Sequence, residues 1–166
     1  MRTLVLGLGN ELAGDDAVGV LVARVVRPEL EGVADVIESS ASGLALIETF
    51  AGYDRAVVID AILTGRHPPG AIVEMGLGDV GRVVAPSTHQ AGLPELTAVA
   101  SRLGLAFPSA TRVFAVEVVD PYTLGAGLSD PVAAAVPELT HRVREQVRRW
   151  ASEEGASCTT TTSSSP

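Results

Sequence analysis

Cysteine is nearly absent from this sequence. Its one copy, Cys158, stands in a Ser/Thr-rich stretch without a partner in the chain, which excludes a disulfide framework and a thiolate zinc centre. Positive charge is also scarce: Lys+Arg 12 against Asp+Glu 20 gives a net charge of −8, which argues against a nucleic-acid partner, since phosphate binding needs clustered basic side chains. Nothing approaches the roughly 18 uninterrupted apolar residues of a membrane span. Residues 1–10 hold one Arg and a short apolar stretch broken by Gly7, far from a signal peptide, so the expected location is the cytoplasm. The motifs G-x-x-x-x-G-K-[ST], H-E-x-x-H and G-x-S-x-G are missing too, and Ser87 lacks the strand-turn-helix setting of a hydrolase nucleophile.

What is present fits one globular domain. The chain has 166 residues, 46% of them hydrophobic and 19% charged, enough apolar material for a single core and too much for a disordered chain. Thr3–Leu8 (TLVLGL) is a short apolar run of the kind buried on both faces of a parallel sheet. After a Gly9–Gly14 loop, Val18, Leu21, Val22, Val25 and Val26 recur at helical spacing up to Pro28. Val33–Glu38 then reads as a strand, Leu44, Leu46, Ile47 and Phe50 as a short helix, and Arg55–Asp60 as a strand ending in a carboxylate.

Beyond the 63–70 loop, Ala71–Met75 and Val80–Val84 read as weaker strands, Leu93–Leu103 as a helix with Pro94 in its first turn, and Arg112–Val118 as a strand. Val132 to Trp150 makes a long amphipathic helix, with Arg142, Arg144, Arg148 and Arg149 toward its end. This alternation predicts a single three-layer α/β domain over residues 1–151, a twisted and mostly parallel central sheet with helices on both faces. Residues 152–166 have too few apolar groups to offset ordering entropy and are expected to be a disordered tail.

Sheets of this type hold ligands beyond the carboxyl ends of their strands. Asp15 and Asp16 follow the loop leaving the first strand, Asp60 ends the third, and His89 precedes the third helix, so all can open onto the same sheet edge. Two carboxylates from separate loops and one imidazole suit a divalent transition metal with open positions. One of Asp15 and Asp16 is also a natural cap for the first helix. A carboxylate closing a hydrophobic strand is costly without a partner, which singles out Asp60. His67 and His141 read as solvated.

The glycines of Gly7-Leu8-Gly9-Asn10-Glu11-Leu12-Ala13-Gly14 do not make a dinucleotide site. The third comes five residues after the second, and two aspartates stand where pyrophosphate would meet the helix.

Taken together, Leu4 to Leu12 with Asp15-Asp16-Ala17-Val18-Gly19-Val20, then Val58-Ile59-Asp60-Ala61, then Ser87-Thr88-His89-Gln90-Ala91-Gly92-Leu93 closely resembles the maturation endopeptidases of [NiFe] hydrogenases, from Met1 to about the end of the last helix. The resemblance implies an endopeptidase of aspartic type, a peptide-bond hydrolase that removes a C-terminal extension from the hydrogenase large-subunit precursor after nickel insertion. It implies that nickel arrives with that precursor as the recognition signal, with no organic cofactor. It also implies that Asp16, Asp60 and His89 are the metal-contacting and catalytic set, with Asp15, Asp16 or Asp60 as candidate general base. Asp16 stands where the family often has Glu, and Glu38 stands near the place of a family Asp with its role open. Two other classes come into consideration: a non-catalytic nickel or large-subunit chaperone, which would use the same two carboxylates and imidazole, and a nucleotide-binding regulator, which the glycine spacing and the two aspartates disfavour.

Overall fold

The sequence places its most apolar run first, and that run becomes the middle of the sheet. A computed structural model describes residues 1–80 and 93–158. In it β1 (Thr3–Leu8) is buried at every residue because strands flank it on both edges and helices cover both faces. The other strands are β2 (Asp35–Ser39), β3 (Arg55–Ile62), β4 (Ile72–Gly76) and β5 (Ala110–Glu117). Their order is β2-β1-β3-β5-β4, parallel except for β4, which runs antiparallel to β5 at one edge. Strand order departs from β1 in both directions, so the carboxyl ends of β1 and β3 form the reversal point where such sheets bind ligands.

One face of the sheet is covered by α1 (Val18–Val26) and the end helix α4 (Asp130–Cys158). Val18, Val22 and Val26 pack with Leu139, Val143, Val147 and Trp150 over Val5, Val57, Ile59 and Phe114. The opposite face is covered by α2 (Ile47–Phe50) and α3 (Leu93–Leu103), where Leu46, Phe50, Leu93 and Leu96 meet Leu4, Leu6, Val58, Ile62 and Val113. This is the expected three-layer α/β arrangement. The two cores alternate along each strand with the period of two that sends neighbouring side chains to opposite faces.

Gly19 sets how closely α1 approaches the sheet. A Cβ there would lie 2.2 Å from the Leu8 carbonyl oxygen and 2.5 Å from that of Ile59, so only glycine lets the first turn of α1 rest on the ends of β1 and β3.

Some boundaries differ from the sequence pattern. β2 starts at Asp35 rather than Val33, because the Val33 amide closes a turn onto the Leu30 carbonyl. β3 runs two residues past Asp60, since Asp60 and Ile62 still pair with Ala115 and Glu117. Val80, expected to open a weak strand, instead follows the helical turn Leu77–Asp79 and is buried in the core on the α2/α3 side of the sheet; the remainder of that expected strand lies outside the described residues. α4 continues through Ser152 to Cys158, where the composition predicts disorder. Glu154 reaches the amino terminus at 3.4 Å, and Arg55 lies 3.9 Å from both Glu153 and Glu154, contacts between segments distant in sequence. The arginines of α4 therefore sit mid-helix rather than at its end and pair with glutamates: Arg142 with Glu138 and Arg144 with Glu29.

Candidate functional site

The carboxyl edge of the sheet gathers four buried carboxylates, Asp15, Asp16, Asp60 and Glu117, each less than a tenth exposed. They are held in different ways. Asp60 lies one residue beyond the last β1–β3 pair, Gly7 with Ile59, and is fully buried. By strand alternation it shares the face of Val58 and Ile62, the α2/α3 side. Its Oδ1 accepts the amide of Ala61 at 2.9 Å.

Asp16 belongs to the helical turn Gly14–Ala17, which packs against β3 just ahead of α1. Its Oδ2 accepts the amide of Asn10 at 2.7 Å, tying the turn back to the loop after β1. That closure depends on Gly9, which has φ +139° and whose Cβ, if present, would lie 1.9 Å from the Asp16 carbonyl oxygen. A groove of about 260 Å³, lined by Gly9, Asn10, Leu12 and Glu38, opens beside this loop.

Asp15 has different partners from Asp16. The Ser129 amide donates to its Oδ1 at 2.6 Å, and the Val119 amide (2.9 Å), the Asp120 amide (3.1 Å) and the Ser129 hydroxyl (2.9 Å) donate to its Oδ2. Burial pushes the Asp15 carboxyl up, but the donors from Ser129, Asp120 and Val119 outweigh it and hold the group below the ordinary aspartate value. A carboxylate so committed is a poor proton acceptor. The expected side-chain cap on the first helix is made by neither aspartate: the turn before α1 and α1 itself both lack one. The donors that hold Asp15 come instead from residues 119–129, more than a hundred positions away, and local sequence carries no trace of them.

Glu117 escaped the sequence pattern, although it ends a hydrophobic strand as Asp60 does. Its Oε1 accepts the amides of Thr64 and Gly65, both at 2.7 Å, and its Oε2 accepts the Thr64 hydroxyl at 2.6 Å, so it fastens the loop that follows β3. Glu38 is an ion-pair partner, meeting Arg24 at 2.8 Å and Arg27 at 2.6 Å, and Arg24 extends the network to Glu11. His67 and His141 are exposed, as expected. His89 lies outside the described residues, and among the described residues no group of three His, Cys, Asp or Glu side chains is gathered for a metal ion. Likewise, no described helix is long and apolar enough to cross a membrane.

Comparison with known proteins adds to this geometry. Residues 21–146 match the hydrogenase maturation protease family. The hydrogenase 2 maturation protease of Escherichia coli (strain K12) is 27% identical over 154 residues, covering 89% of this chain and 92% of that protein. Among solved structures, the hydrogenase maturating endopeptidase HybD from E. coli superposes with a TM-score of 0.76 at 25% identity, over 90% of this chain and 93% of that one. The [NiFe] hydrogenase maturation protease HybD from Thermococcus kodakarensis gives 0.69 at 28% identity, over 89% and 99%.

Proposed function

This chain belongs to the hydrogenase maturation protease family, and on that premise we propose that it removes the C-terminal extension of a [NiFe] hydrogenase large-subunit precursor once nickel has been inserted. The precursor is the partner, and nickel is part of that substrate. Asp16, Asp60 and His89 are the residues that meet the ion, and the precursor supplies its other ligands. Oxygen and imidazole donors with positions left open suit such a transient contact.

The observation that carries this reading is the approach of the turn bearing Asp16 to β3, the strand bearing Asp60, with both carboxylates buried. Gly19 brings the start of α1 against the Leu8 and Ile59 carbonyls. His89 enters through the resemblance of residues 87–93 to the family motif. It is supported by its place four residues before Leu93, which is buried on the same sheet face as Asp60.

In the reaction, water adds to the scissile carbonyl carbon, the C–N bond breaks, and the departing amine takes up the proton that the water loses. The substrate's nickel polarises the carbonyl, so no protein nucleophile is needed. The proton is accepted by Asp16 or Asp60, because both oxygens of Asp15 are engaged by the 119–129 segment. After cleavage the shortened large subunit closes over its metal and departs.

The test is an incubation of this chain with nickel-loaded and nickel-free precursor, resolved on a gel. Processing of the loaded form alone is expected; equal processing of both overturns the recognition role of nickel. Asp60→Asn, which keeps the shape of the side chain, is expected to lower processing by at least about a hundredfold, in line with the loss of a positioned acid-base group.

A further inference from the structure

Two neighbouring carboxylates stand at the candidate site, yet both oxygens of one of them are taken up by donors from a distant segment. We propose that Asp15 is a positioning residue for the peptide-bond cleavage proposed above, on which this inference rests: it clamps the 119–129 segment to the Gly14–Ala17 turn and thereby fixes where Asp16 projects.

The clamp runs in both directions. Asp15 takes four donors from Val119, Asp120 and Ser129 on its side chain, while its own amide donates to the Asp120 carbonyl at 2.9 Å. Two further ties flank it: an antiparallel bridge between Ala13 and Leu124, and a bond from the Gly125 amide to the Leu12 carbonyl at 2.8 Å. The turn packs so closely on this segment that a Cβ on Gly14 would lie 2.5 Å from the Asp120 carbonyl oxygen. Inside the turn, by contrast, no side chain caps the helical amides. Beyond its own backbone bonds, such as the Asp16 amide to the Ala13 carbonyl at 2.9 Å, the turn is braced by the Asn10–Asp16 bond and by the Asp15 clamp. Because Asp15 and Asp16 are consecutive, fixing one side chain fixes the backbone that carries the other.

Only a carboxylate can serve here. Four donors converge on two oxygens, and an asparagine would turn its own N–H groups toward backbone N–H groups. Misplacing a reacting group by about 1 Å costs on the order of a hundredfold in rate, so the expected signature lies in kcat.

The experiment uses the full chain and nickel-loaded precursor. Asp15→Asn is expected to lower kcat tenfold or more with KM for the precursor within about twofold of wild type, at a temperature where circular dichroism shows both proteins folded. Ala13→Cys with Leu124→Cys, in a Cys158→Ser background, places a disulfide across the bridge, a non-hydrogen-bonded antiparallel pair whose usual Cα spacing of about 4.5 Å falls within disulfide range. Oxidised, this tether is expected to return most of the lost kcat to Asp15→Asn. An unchanged kcat in Asp15→Asn overturns the proposal, as does a loss that the tether leaves in full, which would mean that Asp15 acts on the substrate directly. Should Asp15→Asn fail to fold, Ser129→Ala, which deletes one of the four donors, decides in its place: a two- to fivefold fall in kcat at constant KM supports the clamp, and no fall overturns it. Wild-type protein that leaves the precursor intact overturns the functional reading and this proposal together, whereas intact wild-type activity shared by Asp15→Asn overturns this proposal alone.

Discussion

Asp15 and Asp16 stand side by side in the sequence with the same side chain, yet their surroundings part their chemistry. Asp16 accepts the Asn10 amide and so is tied to the loop after β1, while Asp15 is held by the 119–129 segment. Its carboxyl lies below the ordinary value in the folded chain, so on acidification the unfolded chain takes up the proton first. The stability that this group contributes is therefore complete above about pH 4, the usual aspartate range, and is lost as pH falls through the lower folded value. Urea midpoints measured from pH 6 down to pH 3 should fall in wild type and fall less steeply in Asp15→Asn. Asp60 was legible as special because a carboxylate closing an apolar strand is expensive to bury. Glu117 satisfies the same rule and fastens a loop instead. The pattern marks both positions as unusual, and only the donors that fold around each decide which is a clasp.

At the scale of elements, the site depends on how near α1 comes to the strand ends. Gly19→Ala puts a methyl group within 2.5 Å of two backbone carbonyls that cannot yield cheaply, so α1 must lift. A loss of about 1–3 kcal/mol, seen as a lower thermal midpoint, is expected from overpacking of this kind. Gly78→Ala is the control: nothing lies within 4 Å of a Cβ there, and its midpoint should stay close to wild type. Strands β1, β3 and β5 were readable from their apolar runs, as were α1 and α3 from their periodicity. The end of α4 was not, because residues 152–158 lack apolar periodicity and are helical as a continuation of a well-packed helix, with Glu153 and Glu154 near Arg55 and the amino terminus. Cutting the chain after Ala151 removes these ion pairs at the helix end, and ion pairs near the surface are worth about 0–1 kcal/mol. The thermal midpoint of the shortened protein is expected to fall by no more than a few degrees.

Across the whole molecule, the two cores brace the sheet from opposite sides. Leu139 of α4 is fully buried with Phe114, Val116 and the α1 valines. Leu139→Ala should cost about 2–5 kcal/mol in denaturant unfolding, seen as a lower urea midpoint. The sequence by itself determined the layered α/β plan, since hydrophobic period and strand-helix alternation allow few other ways to bury these segments. It also determined the family, through short motifs that hold their order along the chain. Tertiary structure alone decided the division of labour among the carboxylates. Hydrogen bonds that cross more than a hundred residues, such as those from Ser129 to Asp15, have no local signature, and whether a buried acid clasps a loop or faces a substrate depends on which donors the fold brings to it.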